Sequence, residues 1–96
     1  MQLRWSPAAA EDLQQLFDYI RVENPAAGLR VTQTIYERAS ALGAFPYQGR
    51  PGRIEGTREL PLPPLPFILV YRVRENLDAI EIVNVIHGAQ RWPPAS

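Results

Sequence analysis

Ninety-six residues suit one domain, which on folding buries roughly 60–70% of the surface its unfolded chain exposes. Ten arginines balance ten acids, five of each in residues 1–50 and five of each in 51–96, so the positive surplus behind non-specific nucleic-acid binding is absent. With no cysteine, no lysine and one histidine, the chain has no disulfide, thiolate or lysine chemistry and too few ligands for structural zinc.

No metal or other cofactor is expected on these grounds. No stretch approaches the ~20 apolar residues of a membrane span. Glu11, Asp12 and Asp18 interrupt any secretory-type apolar run near the start. The expectation is a cytoplasmic protein without a membrane partner.

Gln2-Leu3-Arg4-Trp5 alternates polar and apolar residues and predicts a short strand with Leu3 and Trp5 facing the core. Ser6-Pro7 is a helix start, a hydroxyl cap followed by a proline whose missing N–H costs nothing there. Helix 1 is predicted from Pro7 to Val22, with Ala9, Leu13, Leu16, Phe17 and Ile20 as one apolar stripe. Asn24-Pro25 repeats the device, so helix 2 follows at once and runs to Leu42 on a stripe of Val31, Ile35, Ala39 and Leu42. Gly43 stands where a C-terminal glycine is expected. So short a link makes the pair an antiparallel helical hairpin.

Residues 44–56 are turn chemistry, with Arg50 and Arg53 read as solvated loop charges. Thr57 to Leu60, Phe67 to Val73 and Ala79 to Ile86 read as strands. Arg74 to Asp78 forms a polar turn between the last two. Pro61, Pro63, Pro64 and Pro66 predict a stiff, extended and exposed link in place of regular pairing between the first two. The fold class is therefore α+β: a short N-terminal strand, an antiparallel helical hairpin, then a three-stranded antiparallel meander with the helices on one face. It forms one domain over residues 1–96, with a short tail from residue 92 to 96.

Arg58, Arg72, His87 and Arg91 are the densest set of potential chemistry, and Trp92 follows them. Each has a plainer reading. A lone histidine at a strand end is commonly a hydrogen-bonded structural group, and Arg58 or Arg72 could pair with an acid such as Glu81 on a neighbouring strand. Tyr71 reads as core packing, and Trp92-Pro93-Pro94 as an extended closing tail.

The order of these pieces resembles the RelE/ParE superfamily of bacterial type II toxins. The resemblance rests on Ser6-Pro7-Ala8 with Asp12-Leu13, on Ala41-Leu42 with Phe45-Pro46, and on Gly56-Thr57-Arg58-Glu59-Leu60. Phe67 to Val73 and Ile82 to Arg91, ending His87-Gly88-Ala89-Gln90-Arg91, complete it. The resemblance implies a ParD- or RelB-like cognate antitoxin that neutralises the chain in a toxin–antitoxin hetero-oligomer. It also implies one of two actions, poisoning of DNA gyrase in the ParE-like branch or ribosome-dependent mRNA cleavage in the RelE-like branch.

A metal-free ribonuclease needs a base, an acid and cations around one phosphate. As a nuclease the chain would use Arg58, Arg72, His87 and Arg91, but it lacks the lysine-rich face and late tyrosine of RelE-like enzymes. The His87 to Arg91 ending looks more like the ParE-like branch, in which Arg58, Arg72, His87, Arg91 and Trp92 are the candidates for target binding. A non-toxic interaction module is the third reading.

Overall fold

The computed structural model describes residues 1–94. The last two residues of the expected tail, 95 and 96, lie outside the described residues. β1 (Gln2–Trp5) leads through Ser6 into α1 (Pro7–Glu23), and Asn24 separates α1 from α2 (Pro25–Ser40). Both caps are made as the side-chain chemistry dictates. Ser6 Oγ accepts the Ala9 N–H at 3.0 Å, and Asn24 Oδ1 accepts the Ala27 N–H at 3.0 Å. The Asn24 N–H also donates to Ile20 C=O at 3.0 Å, so one residue closes the first helix and opens the second. The hairpin closes tightly at Gly28, where a Cβ would lie 3.2 Å from the backbone of Arg21.

α2 ends two residues before the predicted Leu42, tightening into a 3₁₀ turn (Ala41–Gly43) that carries Leu42 into the core. Gly43 is not a left-handed cap, since the only glycine with positive φ is Gly56. The tightened turn satisfies the end instead, with Ala44 N–H on Ala41 C=O at 3.2 Å.

Five strands make the sheet, in the order β1-β5-β4-β3-β2, where β2 is Arg50–Pro51, β3 Arg58–Pro61, β4 Phe67–Arg74 and β5 Ala79–His87. The meander is as predicted, but two features differ from the reading of the sequence. β1 joins the sheet parallel to β5 (Leu3 beside Ile80), a pairing that spans nearly the whole chain and that no short turn could make. β2 forms inside the predicted loop as a two-residue edge.

The proline-rich link also departs from expectation. β3 pairs regularly with β4, Arg58 opposite Tyr71 through Pro61 opposite Ile68. Leu62 N–H donates to Phe67 C=O at 3.0 Å, so the bonded pairs alternate and Pro61 falls on a position whose N–H would point away from β4. Leu62 itself is fully buried, pinned by a turn in which Leu65 N–H reaches its carbonyl at 2.8 Å.

The helices cover one face of the sheet. Ala9, Ile35, Ala39 and Leu42 meet Leu60, Leu69, Tyr71, Ile80 and Ile82 in the main core. Beyond Ile82, β5 carries one extra residue, Val83, so that Val70 faces Asn84 while Tyr71 faces Ile82. This bulge reverses which β5 groups point outward just where β1 ends. Side chains take over there: Ser6 Oγ donates to Val83 C=O at 2.9 Å, and Asp12 Oδ2 accepts the Val85 N–H at 3.0 Å. On the face away from the helices, Ile68, Val70 and Ile86 form a second buried cluster, against which Val83 and Trp92 pack.

Candidate functional site

The five candidate residues do not form one cluster. Arg58 and Arg72 lie near one end of β3 and β4, on opposite sheet faces, because Arg58 shares its face with Tyr71 and Arg72 points the other way. His87 lies opposite Phe67, five residues from Arg72 along β4, or about 17 Å at strand rise. Arg91 is exposed beyond the last turn, and Trp92 lies on the outer cluster.

Each candidate has a defined setting. Arg58 donates to Gly49 C=O at 2.7 Å and stands 4.8 Å over the Tyr47 ring, with no carboxylate within 4 Å among the described residues. Arg72 faces Glu81 in register, yet the plainer reading of a pair between them is not met. Arg74 takes the Glu81 carboxylate at 3.3 Å, and Arg72 turns to Glu55 C=O at 3.3 Å. Its guanidinium passes so close to Gly56 that a Cβ there would lie 2.7 Å from Nη1, and Gly56 adopts φ 81°.

His87 Nδ1 accepts the Ala89 N–H at 3.0 Å, and its ring meets Phe67 edge-on at 5.6 Å. Beside it, a cleft of about 410 Å³ runs between α1 and the end of β5, lined by Asp12, Tyr19, Asn84, His87 and Gln90 among others.

Arg50 and Arg53 stay exposed, as expected, but both reach one buried acid. Glu59, 1% exposed on the outer face of β3, accepts from Arg53 Nη2 at 2.9 Å, from the Arg53 backbone N–H at 2.8 Å and from Arg50 Nη2 at 3.5 Å. The Arg53 side chain holds the Glu59 carboxyl below the ordinary carboxylate range against the opposing effect of burial, and the Arg53 backbone N–H and charge add to this. Arg53 also reaches the Trp92 carbonyl at 3.4 Å. The only hint in the sequence was an acid in a strand next to two loop arginines.

Tyr71 is core, as expected. Its hydroxyl donates to Pro46 C=O and accepts the Gly49 N–H, each at 2.8 Å, and burial pushes the phenol up while the Gly49 N–H and the Arg58 charge oppose this.

Two further concavities were not placed by the sequence reading. One is an apolar groove of about 320 Å³ between the helices and β1, lined by Trp5, Ala10, Leu13, Phe17, Thr32 and Tyr36. Trp5 and Tyr36 stack along it, 6.1 Å apart and 6° from parallel. The other is a polar cleft of about 530 Å³ beside Arg58, which includes Tyr47, Glu75 and Asn76. Among the described residues no group of three or more His, Asp or Glu could hold a metal, and no helix is long and apolar enough to cross a membrane.

A helical hairpin laid on one face of a β-sheet that ends in an antiparallel meander is the architecture of RelE/ParE superfamily toxins. Over 91% of this chain and 95% of the other, the fold superposes on a chain of the chromosomal ParDE TA system from P. aeruginosa, with TM-score 0.80 and 32% identity. It also superposes on a chain of the RelBE2 toxin–antitoxin complex from Mycobacterium tuberculosis, with TM-score 0.69 and 24% identity over 90% of this chain and 95% of that one. At that identity the second likeness speaks for the fold alone.

The Sinorhizobium fredii protein named "Putative toxin Y4kP" is 39% identical over 92 residues, 96% of this chain and 93% of that protein. The family model described as the ParE toxin of type II toxin-antitoxin system, parDE, matches residues 3–92. The chain belongs to the ParE family and is a toxin of a type II toxin–antitoxin system.

Proposed function

We propose that this toxin acts by docking on DNA gyrase, and that a ParD-like antitoxin silences it in a hetero-oligomer. The carrying observation is the dispersal of the candidate residues. Phosphodiester cleavage needs acid, base and cations within hydrogen-bond reach of one phosphate. With His87 about 17 Å along the sheet from Arg72, and Arg58 on the other face from Arg72, that arrangement is not met. Docking on a large protein makes no such demand, since a standard interface covers about 800 Å² per partner. In this reading Arg72, Arg91 and Trp92 contact the target, with Arg58 and His87 at the two ends of the contact surface.

The groove between the helices suits the antitoxin. Its aromatic and aliphatic lining matches the apolar face of an amphipathic helix, and Tyr36 remains 54% exposed along it. Gyrase and a newly made antitoxin would both meet the chain in the cytoplasm, where the arrest of growth could serve plasmid stabilisation.

Purified toxin incubated with gyrase and supercoiled plasmid should yield linear DNA after protein removal. Arg91→Ala combined with Trp92→Ala should reduce the yield at least several-fold. No linear DNA at stoichiometric excess, alongside ribosome-dependent cleavage of mRNA, would replace this reading with the nuclease. Normal growth on induced expression would leave the interaction module.

A further inference from the structure

The polar cleft beside Arg58 contains an unfinished sheet edge. β3 begins at Arg58, opposite Tyr71, while β4 continues to Arg74. The chain before Arg58 turns away at Gly56, so residues 72–74 of β4 have no strand on that side. The alternation set by the Leu62 N–H on Phe67 C=O turns the N–H and C=O of residues 67, 69, 71 and 73 toward the β3 line. The opposite side of the sheet obeys the same parity. Gln2 and Ser6 bond the carbonyls of Asp78 and Ile82, which leaves Ala79 and Glu81 to pair with Arg74 and Arg72. Val73 therefore points a backbone donor and an acceptor into the cleft, and no partner meets them among the described residues.

The side chains around this edge are also unspent. Arg58 has no carboxylate within 4 Å among the described residues, and one nitrogen on Gly49 C=O and the Tyr47 ring beneath fix its orientation. The Asn76 amide has no hydrogen bond among the described residues, whereas Glu75 is engaged by the Tyr47 hydroxyl. We propose that this cleft docks an extended acidic peptide segment of a partner protein, which pairs with the free edge of β4 at Val73 and places a carboxylate on Arg58.

Strand geometry sets the register. A residue opposite Val73 would point to the same face as Arg58, two positions further along the same line and about 7 Å away. A glutamate there reaches the guanidinium for charge-assisted, forked hydrogen bonds. Glu75 repels acids at the far end of the cleft and so fixes which end of the segment carries the charge. The free backbone edge selects a polypeptide, and the Glu75 carboxylate works against a polyphosphate backbone, so a peptide is favoured over a nucleic acid. The site is separate from the groove between the helices and shares only Arg58 with the end of the target-contact surface proposed above.

The test uses the full chain and fluorescence anisotropy of a labelled heptapeptide of alternating valine and glutamate. Binding is expected, with no binding by the lysine counterpart. Arg58→Gln should weaken it roughly ten-fold with an unchanged circular dichroism spectrum. Glu75→Gln should strengthen it. With the wild-type protein, N-methylation of alternate peptide nitrogens should abolish it, which separates strand pairing from charge attraction and does not rely on any variant folding. Equal binding by the N-methylated peptide, or by Arg58→Gln, would overturn the proposal. So would an oligouridylate that binds in its place and responds to Arg58→Gln, which would assign the cleft to nucleic acid.

Discussion

The two faces of the sheet are both apolar, but they are covered by different means. On one, Leu69, Tyr71, Ile80 and Ile82 lie under two helices whose own stripes bring Ala9, Ile35 and Ala39 into the same core. On the other, Ile68, Val70 and Ile86 are buried without a helix, with Val83 and the Trp92 indole packed against them. Alongside them runs the Arg53–Glu59 pair, and Arg53 reaches the Trp92 carbonyl at 3.4 Å. The helix side is held by many apolar contacts from distant parts of the chain. The outer side rests on Val83, one aromatic residue and the arginines gathered on Glu59. Trp92 carries a cost, as Trp5 does on the helix side, since each indole N–H is buried with no partner among the described residues. The outer cover should therefore loosen well before the helical layer does.

The largest expected effect is on the helix side. Leu69→Ala removes a fully buried side chain from the middle of the main core, and the fixed helices and strands around it cannot collapse into the space. A loss of about 2–5 kcal/mol is expected in urea-induced unfolding, enough to remove much of the stability of a domain this small. A second effect falls on the outer face. Trp92→Ala should cost about 1–3 kcal/mol, less than a fully buried aromatic because Trp92 keeps some exposure and its N–H is unsatisfied. It should also raise the binding of an apolar dye, while the far-ultraviolet circular dichroism stays unchanged. A dye signal as low as that of the wild type would mean that something else covers Ile68 and Val70.

The contrast also explains what could be read from the sequence. The helix-side core was legible because its signals are periodic: Ser6 and Asn24 as caps, stripes at helical spacing, and Phe67 to Val73 as a strand. That same strand is apolar at consecutive positions, the mark of burial on both faces, a signal that the reading of a sheet covered on one face passed over. The cover comes from pairings distant in sequence. Arg53 meets Glu59 only because β2 folds back on β3, and Arg72 loses Glu81 to Arg74 because side chains on one strand compete for the same acid. The candidate residues looked clustered because they are close in the last forty positions. An extended strand separates neighbours by about 3.3 Å each, so His87 and Arg72 end far apart. The cleft at Arg58 was hidden for a related reason, since it depends on where β3 stops relative to β4.

The smallest effect sharpens the comparison most, because it is specific to pH. Glu59 has its folded pKa depressed below the ordinary 4.5, chiefly by the Arg53 side-chain hydrogen bonds. The unfolded chain then binds the proton more readily. The pair's contribution is fully present above pH 4.5 and is lost as pH falls through the lower folded value. Replacing the acid by Glu59→Gln keeps the shape and one acceptor but removes the charge. A cost of about 1–2 kcal/mol is expected at pH 7, limited because Arg53 is partly exposed and water can solvate it. The difference between wild type and Glu59→Gln should shrink as the pH drops below 4.5. In a Trp5→Phe background, where Trp92 is the only remaining indole, acid should shift the wild-type emission toward that of a solvated tryptophan before the helical signal changes, since Arg53 loses its anchor and with it the Trp92 carbonyl. The Glu59→Gln form should show the shifted emission already at pH 7. If emission and helicity instead change together in the wild type, the outer cover is part of the main cooperative unit, and the two faces do not loosen separately.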